Sequence, residues 1–356
     1  MKKKKLLIAG GGTGGHIMAG IAVIEAWKEK YGSDASVLFI GGERGLEGRI
    51  VPSHGIELKR LKVAALKGKT GLSLIQSLLL LPYAFFQSMV WVIQFRPTAT
   101  LGVGGYASGP CVLVASLFQW LWGGKSALLE QNTVSGLTNR ILGKWVGLIF
   151  SAFSEAKGLP QNKLIISGNP TRKNFEELPK SEGDFRVFVF GGSQGAVGMN
   201  TVVMNAIRQA KDLDILWTHQ TGERDYDRVF QFYQSQGIEA EVSPFIEDMK
   251  KEYQRASVVI CRSGASTLSE LAIVGRTAIF IPFPQASDQH QLKNAENFVK
   301  SKAAWCIEEG PDAAQKLCNL LLELKKSPEQ IEERANQIKS FAPHRATEII
   351  VKELSK

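Results

Sequence analysis

The chain has 356 residues, 44% of them hydrophobic and 22% charged, which are values of a globular protein and exclude a low-complexity chain. At roughly 100 to 200 residues per domain this length predicts two domains, and the sequence has no tandem repeat of the solenoid kind. The net charge of +9 belongs to the first half, because the chain up to Lys157 carries 18 Lys and Arg against eight Asp and Glu. Four cysteines without disulfide or metal-ligand spacing favour a reducing compartment.

The first half alternates short apolar runs with longer helical patterns. The basic start leads into LLIAG, which is too short for a signal-peptide core and predicts a cytoplasmic protein. We predict strands at Lys5–Gly10, Ser36–Gly41, Ala99–Gly104, Ser126–Gln131, Leu148–Phe153 and Lys163–Gly168. Helical patterns such as those at 17–31 and 109–122 lie between them. This alternation predicts a βαβ series, that is, a parallel sheet with helices on both faces.

A segment without any charge, Gly71–Phe95, interrupts this series. Its polar side chains, which fall near one helical stripe, are Ser73, Gln76, Ser77, Gln87, Ser88 and Gln94. Three alternatives stay open: a helix lying in the headgroup region of an anionic membrane, a buried helix pair broken at Pro82, and a true membrane span. The flanking Lys62, Lys67 and Lys69 favour the first.

The charge around this segment is one-sided. No carboxylate occurs between Glu57 and Glu130, whereas seven Lys and Arg residues do. Such a face attracts an anion, and the candidates are nucleic acid, anionic lipid or a phosphorylated substrate.

The strand and helix series restarts in the second half. We predict strands at Arg186–Gly192, Ile215–Gln220, Ser257–Gly264 and Thr277–Phe283. Two doubly wound α/β domains in tandem explain this pattern, joined near GNPT at 168–171, where Gly and Pro punctuate the chain. We therefore expect domains at 1–168 and 169–341, with a last helix at 342–356 that packs back on the first domain.

The first glycine loop, at 10–15, fits G-x-G-x-x-G between a strand and a helix. Alone this is a weak signal for a dinucleotide site. A dehydrogenase also needs an acid about 20 positions later, at the end of the second strand, to bind a ribose hydroxyl. Here the first acid after that strand is Glu43. An NAD-dependent oxidoreductase is therefore a weak alternative.

Two more glycine clusters follow strands, GVGGYASGP at 102–110 and GGSQGAVGMN at 191–200. In the second, Ser193 and the amides of a helix start predict an anion site. Open α/β sheets bind ligands at the carboxyl ends of their strands, so we expect all three loops to face one cleft. The cluster at 102–110 could instead only turn the chain.

His16 directly follows the first glycine loop. A lone histidine is usually structural, but this one falls in the first turn of a predicted helix, where the dipole disfavours the cationic form. A neutral imidazole is a usable general base. Glycosyl transfer by direct displacement needs such a base for the attacking hydroxyl, and donors for the leaving diphosphate.

Two Asp-x-Asp pairs match a pattern that supports a metal in some sugar transferases, Asp212 with Asp214 and Asp225 with Asp227. Their charged surroundings favour solvated surface instead. We therefore expect no metal cofactor, and a diphosphate held by a helix end and by Arg172.

Seven motifs in a fixed order carry a family resemblance. They are GGTGGH at 11–16, GGYASGP at 104–110, EQN at 130–132, GNPTR at 168–172, GGSQGA at 191–196, CRSGA with SE at 261–270, and PF at 282–283 leading to Gln291 and Asn294. With them the chain resembles, over essentially its whole length, the MurG family of bacterial N-acetylglucosaminyltransferases, the lipid II synthases.

The resemblance implies a GT-B fold, with two Rossmann-like domains facing across a cleft. It further implies UDP-N-acetylglucosamine (UDP-GlcNAc) as donor in the second domain and lipid I as acceptor on the first. The product would be lipid II, formed with inversion, by an enzyme peripheral to the cytoplasmic face of the cell membrane. The acid-free basic stretch then fits a pyrophosphate-bearing acceptor rather than nucleic acid, and Gly71–Phe95 with its flanking lysines fits an anionic membrane surface.

The resemblance also implies roles for individual residues. His16 matches the candidate base for the muramyl 4-hydroxyl. The implied donor contacts are Thr13, Gly14, Gly15 and Asn132 at the sugar, Arg172 and Ser193 at the diphosphate, Ile246 at the uracil, Ala265, Ser266, Thr267, Leu268, Ser269 and Glu270 at the uridine, and Gln291 at sugar hydroxyls.

The chain departs from the family pattern at Met18, Ala19 and Leu129, and in the loop at 288–291, where the role of His290 stays open. The main rival is a GT-B enzyme acting on another lipid, such as diacylglycerol, because the second-domain motifs say little about the acceptor. A non-catalytic UDP-binding protein on the membrane is a further alternative.

Overall fold

The structure is a computed structural model that describes residues 3–43, 45–63, 70–154, 156–171, 175–179, 181, 183–192, 194–209, 214–343 and 345–356. The chain divides into two compact units. The first comprises Met1–Arg172 and Pro343–Lys356, and the second Lys173–Ala342. The domain boundaries predicted from the sequence, 168/169 and 341/342, lie four residues and one residue before these.

The first unit is built on a seven-stranded parallel sheet in the order β3-β2-β1-β4-β5-β6-β7. The strands are β1 (Lys4–Gly10), β2 (Ala35–Gly42), β3 (Leu58–Leu61), β4 (Ala99–Gly104), β5 (Lys125–Glu130), β6 (Leu148–Ser151) and β7 (Leu164–Ile166). Six of them lie where the sequence predicts strands. The edge strand β3 was not predicted.

Helices cover both faces of this sheet. They are α1 (Gly14–Tyr31), α2 (Glu47–Ser53), α3 (Gly71–Phe95), α4 (Ser108–Phe118) and α5 (Leu137–Leu142). The central strand shows why two layers are needed, since every residue from Leu6 to Ala9 is fully buried. Side chains alternate along a strand, so Leu6 and Ile8 enter one core with α1, while Leu7 and Ala9 enter the other with α4.

The uncharged segment forms α3 as one continuous helix with Pro82 inside it, so of the three alternatives the helix pair broken at Pro82 is wrong. None of the helices in the described part of the chain is both long and apolar enough to cross a membrane. The helix ends before Arg96, which has a left-handed φ of 51°. The next residue, Pro97, has no backbone N–H and so cannot extend the helix.

The second unit has a six-stranded parallel sheet in the order β10-β9-β8-β11-β12-β13. Its strands are β8 (Arg186–Phe190), β9 (Leu216–Gln220), β10 (Ala240–Ser243), β11 (Val258–Cys261), β12 (Ala278–Phe280) and β13 (Trp305–Cys306). The four inner strands were predicted, whereas the two edge strands, β10 and β13, were not.

The described residues of this unit form seven α-helices: α6 (Val197–Gln209), α7 (Tyr226–Gln236), α8 (Met249–Arg255), α9 (Ala265–Val274), α10 (His290–Lys300), α11 (Ala313–Lys326) and α12 (Pro328–Lys339). The largest buried cluster joins β8 and β11 to α6 and α11. The chain then returns to the first unit as α13 (Ala346–Ser355), which packs on α1 and buries Ile350, Val351 and Leu354.

Candidate functional site

The first glycine loop connects β1 to α1 and lies against the loop that follows β4. Gly11 N–H donates to the Gly104 carbonyl at 3.0 Å. A Cβ at Gly105 would overlap the Gly11 carbonyl oxygen, and Gly105 has a φ of +82°. The two glycine clusters therefore approach each other through backbone, which only glycine permits.

His16 lies in the first turn of α1. The Thr13 hydroxyl caps this helix and accepts from His16 N–H at 3.4 Å. The His16 Nδ1 lies 3.1 Å from the Gly11 carbonyl oxygen. A carbonyl only accepts, so Nδ1 carries the proton, and in the neutral imidazole the lone pair is then on Nε2. This tautomer suits a base that acts through Nε2, the atom beside Gly104.

The loop after β5 carries Asn132 and is organised by the buried carboxylate of Glu130. Glu130 accepts from the backbone N–H groups of Asn132 and Gly136, each at 3.0 Å, and from Asn139 Nδ2 at 2.9 Å. Burial raises the pKa of Glu130 above its usual value, and these hydrogen bonds offset only part of that rise. Glu130 thus fixes the backbone that presents Asn132.

In the second unit, the loop after β8 meets the loop after β9. Gly195 has a φ of +73°, and a Cβ there would overlap the Thr221 carbonyl oxygen. The buried Gln220 ties this region together, because its Nε2 donates to the Gly192 carbonyl at 3.1 Å and its Oε1 accepts from Ile246 N–H at 2.9 Å. Gln220 was not singled out from the sequence, yet it holds Ile246 in place.

Behind this loop lies a buried polar network around His219. Its Nδ1 is 3.2 Å from the Tyr233 hydroxyl and its Nε2 is 3.1 Å from Asn200 Oδ1. Asn200 Nδ2 donates to the Thr221 carbonyl and to Asp225. Burial lowers the pKa of His219 to about 3, so the imidazole is neutral. The network is structural and supports the 221–222 turn.

The residues predicted at the uridine fall on the first two turns of α9, immediately after β11. Ser266, Thr267, Ser269 and Glu270 are partly exposed there, and Glu270 accepts from the Tyr253 hydroxyl at 3.2 Å. Ala265 and Leu268 are buried, with Leu268 only 1% exposed. The Leu268 side chain is therefore not accessible to a ligand.

Gln291 lies at the start of α10 and is engaged with the loops beside it. Its Oε1 accepts from Phe283 N–H at 2.9 Å, and its carbonyl accepts from the Ser263 hydroxyl at 2.8 Å. The buried Arg262 next to Ser263 bonds the carbonyls of Ile281 and Pro282, each at 2.9 Å. The ends of β11 and β12 thereby form one surface with Gln291.

Some of the predicted residues lie outside the described part of the chain, and one prediction is wrong. Arg172 and Ser193 lie outside the described residues, and so does Asp212. Asp225 was expected on solvated surface, which is wrong: it is 5% exposed and bonds Arg228 Nε at 2.6 Å, because it completes the His219 network. In the portion of the chain that the structure describes, no group of three or more His, Cys, Asp or Glu could hold a metal ion.

The two parallel-sheet units, with glycine loops and helix starts at their strand ends, have the GT-B architecture. Family models for the N-terminal and C-terminal domains of glycosyltransferase family 28 match residues 6–151 and 186–349. The solved structure of MurG from Acinetobacter baumannii aligns with a TM-score of 0.78 and 27% identity, covering 99% of both chains.

Two relatives carry the same descriptive name, UDP-N-acetylglucosamine–N-acetylmuramyl-(pentapeptide) pyrophosphoryl-undecaprenol N-acetylglucosamine transferase. The protein of Myxococcus xanthus (strain DK1622) is 42% identical and covers 92% of this chain and 86% of its own length. The protein of Geotalea daltonii is 38% identical, and the alignment covers 99% of this chain and 97% of that protein. The chain belongs to this MurG family of glycosyltransferase enzymes.

Proposed function

We propose that the protein transfers N-acetylglucosamine from UDP-GlcNAc to the 4-hydroxyl of the N-acetylmuramyl group of lipid I, forming lipid II. The observation that carries this proposal is the likeness at about 40% identity, over nearly the full length, to enzymes named for that transfer. The second unit binds the donor, and the first unit binds the acceptor.

The reaction is a displacement at the anomeric carbon with inversion. His16 Nε2 accepts the proton of the 4-hydroxyl while that oxygen bonds to the anomeric carbon and the bond to UDP breaks. The negative charge that develops on the diphosphate is stabilised by helix N-termini and by Arg172 and Ser193. These protein groups supply the acid–base and electrostatic parts, so the proposal needs no metal.

Donor recognition divides among three strand ends of the second unit. Gln220 fixes Ile246 for the uracil, and the first turns of α9 supply Ser266, Thr267 and Glu270 for the ribose side. Gln291 serves the sugar hydroxyls through its Nε2, because its Oε1 is already bonded to Phe283 N–H. Thr13, Gly14, Gly15 and Asn132 of the first unit complete the contacts to the sugar.

The protein lies on the cytoplasmic face of the cell membrane as a peripheral enzyme. The support is α3, whose outer face exposes Leu79 by 71%, Tyr83 by 53% and Phe86 by 59%. Lys62, also exposed, precedes this helix. Apolar side chains beside basic ones suit an anionic headgroup layer that presents a lipid-linked substrate.

The experiment that tests the function gives purified protein radiolabelled UDP-GlcNAc together with either a lipid I analogue or diacylglycerol. We expect label in a lipid II analogue and none in glycosylated diacylglycerol. Transfer to diacylglycerol alone would assign another lipid acceptor, and UDP binding without transfer to either lipid would contradict an enzymatic role.

A further inference from the structure

A buried carboxylate, Glu47, lies behind the first glycine loop and is not part of any site predicted above. It stands at the start of α2 and is 1% exposed. Its Oε1 accepts from Gly12 N–H at 2.7 Å, and Gly42 N–H lies 3.4 Å from the same oxygen. Its Oε2 is buried without a hydrogen-bond partner among the described residues. A carboxylate buried with so few partners is costly, so its position calls for an explanation.

Glycines make room for this carboxylate from three sides. A Cβ at Gly11 or at Gly45 would overlap the carboxylate itself, and one at Gly41 would lie 2.8 Å from Glu47 Cγ. Gly11 also has a φ of +137°, which disfavours any other residue. The sequence thus keeps two loops free of side chains where Glu47 meets the glycine loop.

One peptide group connects Glu47 to His16. The N–H of the Gly11–Gly12 peptide is that of Gly12, which donates to Glu47 at 2.7 Å. The carbonyl of the same peptide is that of Gly11, which accepts the His16 Nδ1 proton at 3.1 Å. A hydrogen bond to an ionised acceptor polarises the donor group, and hydrogen bonds in a chain strengthen one another. Glu47 therefore makes the Gly11 carbonyl a better acceptor for the imidazole N–H.

We propose that Glu47 is a positioning residue for His16, which it holds in the Nδ1–H tautomer through the Gly11–Gly12 peptide group. The carboxylate also stabilises the imidazolium that forms when Nε2 takes up the acceptor proton. This inference rests on the proposed role of His16 as base. It assigns to Glu47, acting through a peptide, the part that a directly bonded carboxylate plays beside other catalytic histidines.

The kinetic test compares Glu47→Gln with Glu43→Gln, an exposed carboxylate in the same loop. Glutamine keeps the shape and an acceptor but removes the charge, so we expect kcat to fall about tenfold with the KM for UDP-GlcNAc unchanged. Glu43→Gln is expected to match the unmodified protein. In a His16→Ala background the Glu47→Gln change is expected to alter kcat by less than about twofold, because the two residues act as one unit.

A spectroscopic test needs no turnover. In protein labelled with 15N-histidine, the His16 signals are identified by their loss in His16→Ala. We expect Nδ1 protonated and Nε2 unprotonated, with the Nδ1 proton shifted upfield in Glu47→Gln as its hydrogen bond weakens. The same spectra report whether Glu47→Gln is folded.

These outcomes distinguish the role of Glu47 from the proposed function. A protonated Nε2, or a Nδ1 proton that Glu47→Gln leaves unchanged, overturns the role of Glu47 even if lipid II is made. Full kcat in Glu47→Gln does the same. Full kcat in His16→Ala removes His16 as the base and with it the role of Glu47, while the proposed transfer to lipid I stands. Failure to transfer to lipid I, with the expected His16 spectra, contradicts the proposed function alone.

Discussion

At the scale of single residues, the carbonyl of Gly11 decides what His16 can do. It fixes the proton on Nδ1 and so leaves Nε2 as the basic atom. Sequence alone supplied the helix position of His16 but not this tautomer, which depends on a contact within the loop.

Replacing His16 by alanine should lower kcat by about 10² to 10⁴, the usual contribution of a general base, because the attacking hydroxyl loses its proton acceptor. The KM for UDP-GlcNAc should stay within about twofold, since in the proposed function the second unit makes most of the donor contacts. Steady-state kinetics with a lipid I analogue measures both. Unchanged kcat in His16→Ala would show that another group acts as the base.

Gln220 gives a second prediction. Gln220→Ala leaves Ile246 N–H and the Gly192 carbonyl without their buried partner, which costs about 1 to 3 kcal/mol. We expect UDP to bind about tenfold more weakly, measured by isothermal titration calorimetry. Gln234→Ala, at an exposed glutamine on α7, is the control. Equal UDP affinity in Gln220→Ala and Gln234→Ala would show that Gln220 does not support uracil binding.

His219 predicts a pH dependence of stability. Burial lowers its pKa from 6.5 to about 3, so the folded protein keeps it neutral while the unfolded chain takes up a proton. Stability from this group is complete above pH 6.5 and falls as the pH drops towards 3, by about 2 kcal/mol between about pH 7.5 and pH 5.

Denaturant unfolding at these two pH values measures the effect. His219→Gln should show a smaller loss between them, because an amide does not titrate. The exposed His54 is the control, and His54→Gln should keep the full loss. If His219→Gln loses as much stability as the unmodified protein, the effect comes from other groups.

Some functional residues could be predicted from the sequence and others could not. Thr13, Asn132 and Ser266 are predicted as donor contacts from the family resemblance, and each lies shortly after the carboxyl end of a parallel strand, where open α/β sheets bind ligands. Glu47 and Gln220 act through backbone groups of other loops. Their roles depend on contacts between segments far apart in the chain, which local pattern does not record.

At the scale of elements, the unpredicted strands share a physical cause. β3 reads LKRL, β10 reads AEVS and β13 has two residues, and all three are sheet edges. Edge strands are often short or polar, and these three lack the apolar run by which the inner strands were predicted. The fourth edge strand, β7, reads LII and was predicted.

Helix α3 packs a mixed face inward and exposes an apolar one. Ala84 and Val92 are buried in the core, and so are Ser77 at 2% and Ser88 at 0% exposure, with Ser88 Oγ 3.3 Å from Cys111 Sγ. The apolar side chains of Leu79, Tyr83 and Phe86 face outward. Of the polar stripe seen in the sequence, Ser77 and Ser88 are therefore packed while Gln94 is exposed, and a separate exposed face of the helix is apolar.

This arrangement predicts that Leu79→Glu with Phe86→Glu releases the protein from anionic vesicles. Two carboxylates on the outer face remove apolar contact and repel anionic headgroups, so binding should weaken by at least about tenfold. Co-sedimentation with phosphatidylglycerol vesicles measures it. Phe230→Glu, at an exposed aromatic residue of the second unit, should bind like the unmodified protein. Persistent binding of the double variant would place the membrane contact elsewhere.

At the scale of the whole molecule, the first unit is discontinuous because α13 completes it. Deleting 346–356 removes the buried side chains of Ile350, Val351 and Leu354 from the core that contains Trp27. At about 1.5 to 3 kcal/mol for each buried aliphatic side chain, the loss is roughly 5 to 9 kcal/mol, comparable to the stability of a domain.

We therefore expect the deletion to unfold the first unit and to leave UDP binding by the second unit intact. Hydrogen exchange resolves the two units, and UDP titration reports the second. Protection retained in β1 and α1 after the deletion would show that α13 is dispensable.

The return of the chain to its first unit also orders events during synthesis. When residues 1–172 leave the ribosome they have all seven strands but not the helix that covers α1, so apolar surface around Trp27 stays open while the next 170 residues are translated. The second unit is contiguous and has every piece it needs before the nascent chain is finished. The half that is made first is thus the half that is completed last, and until then its open apolar surface favours aggregation.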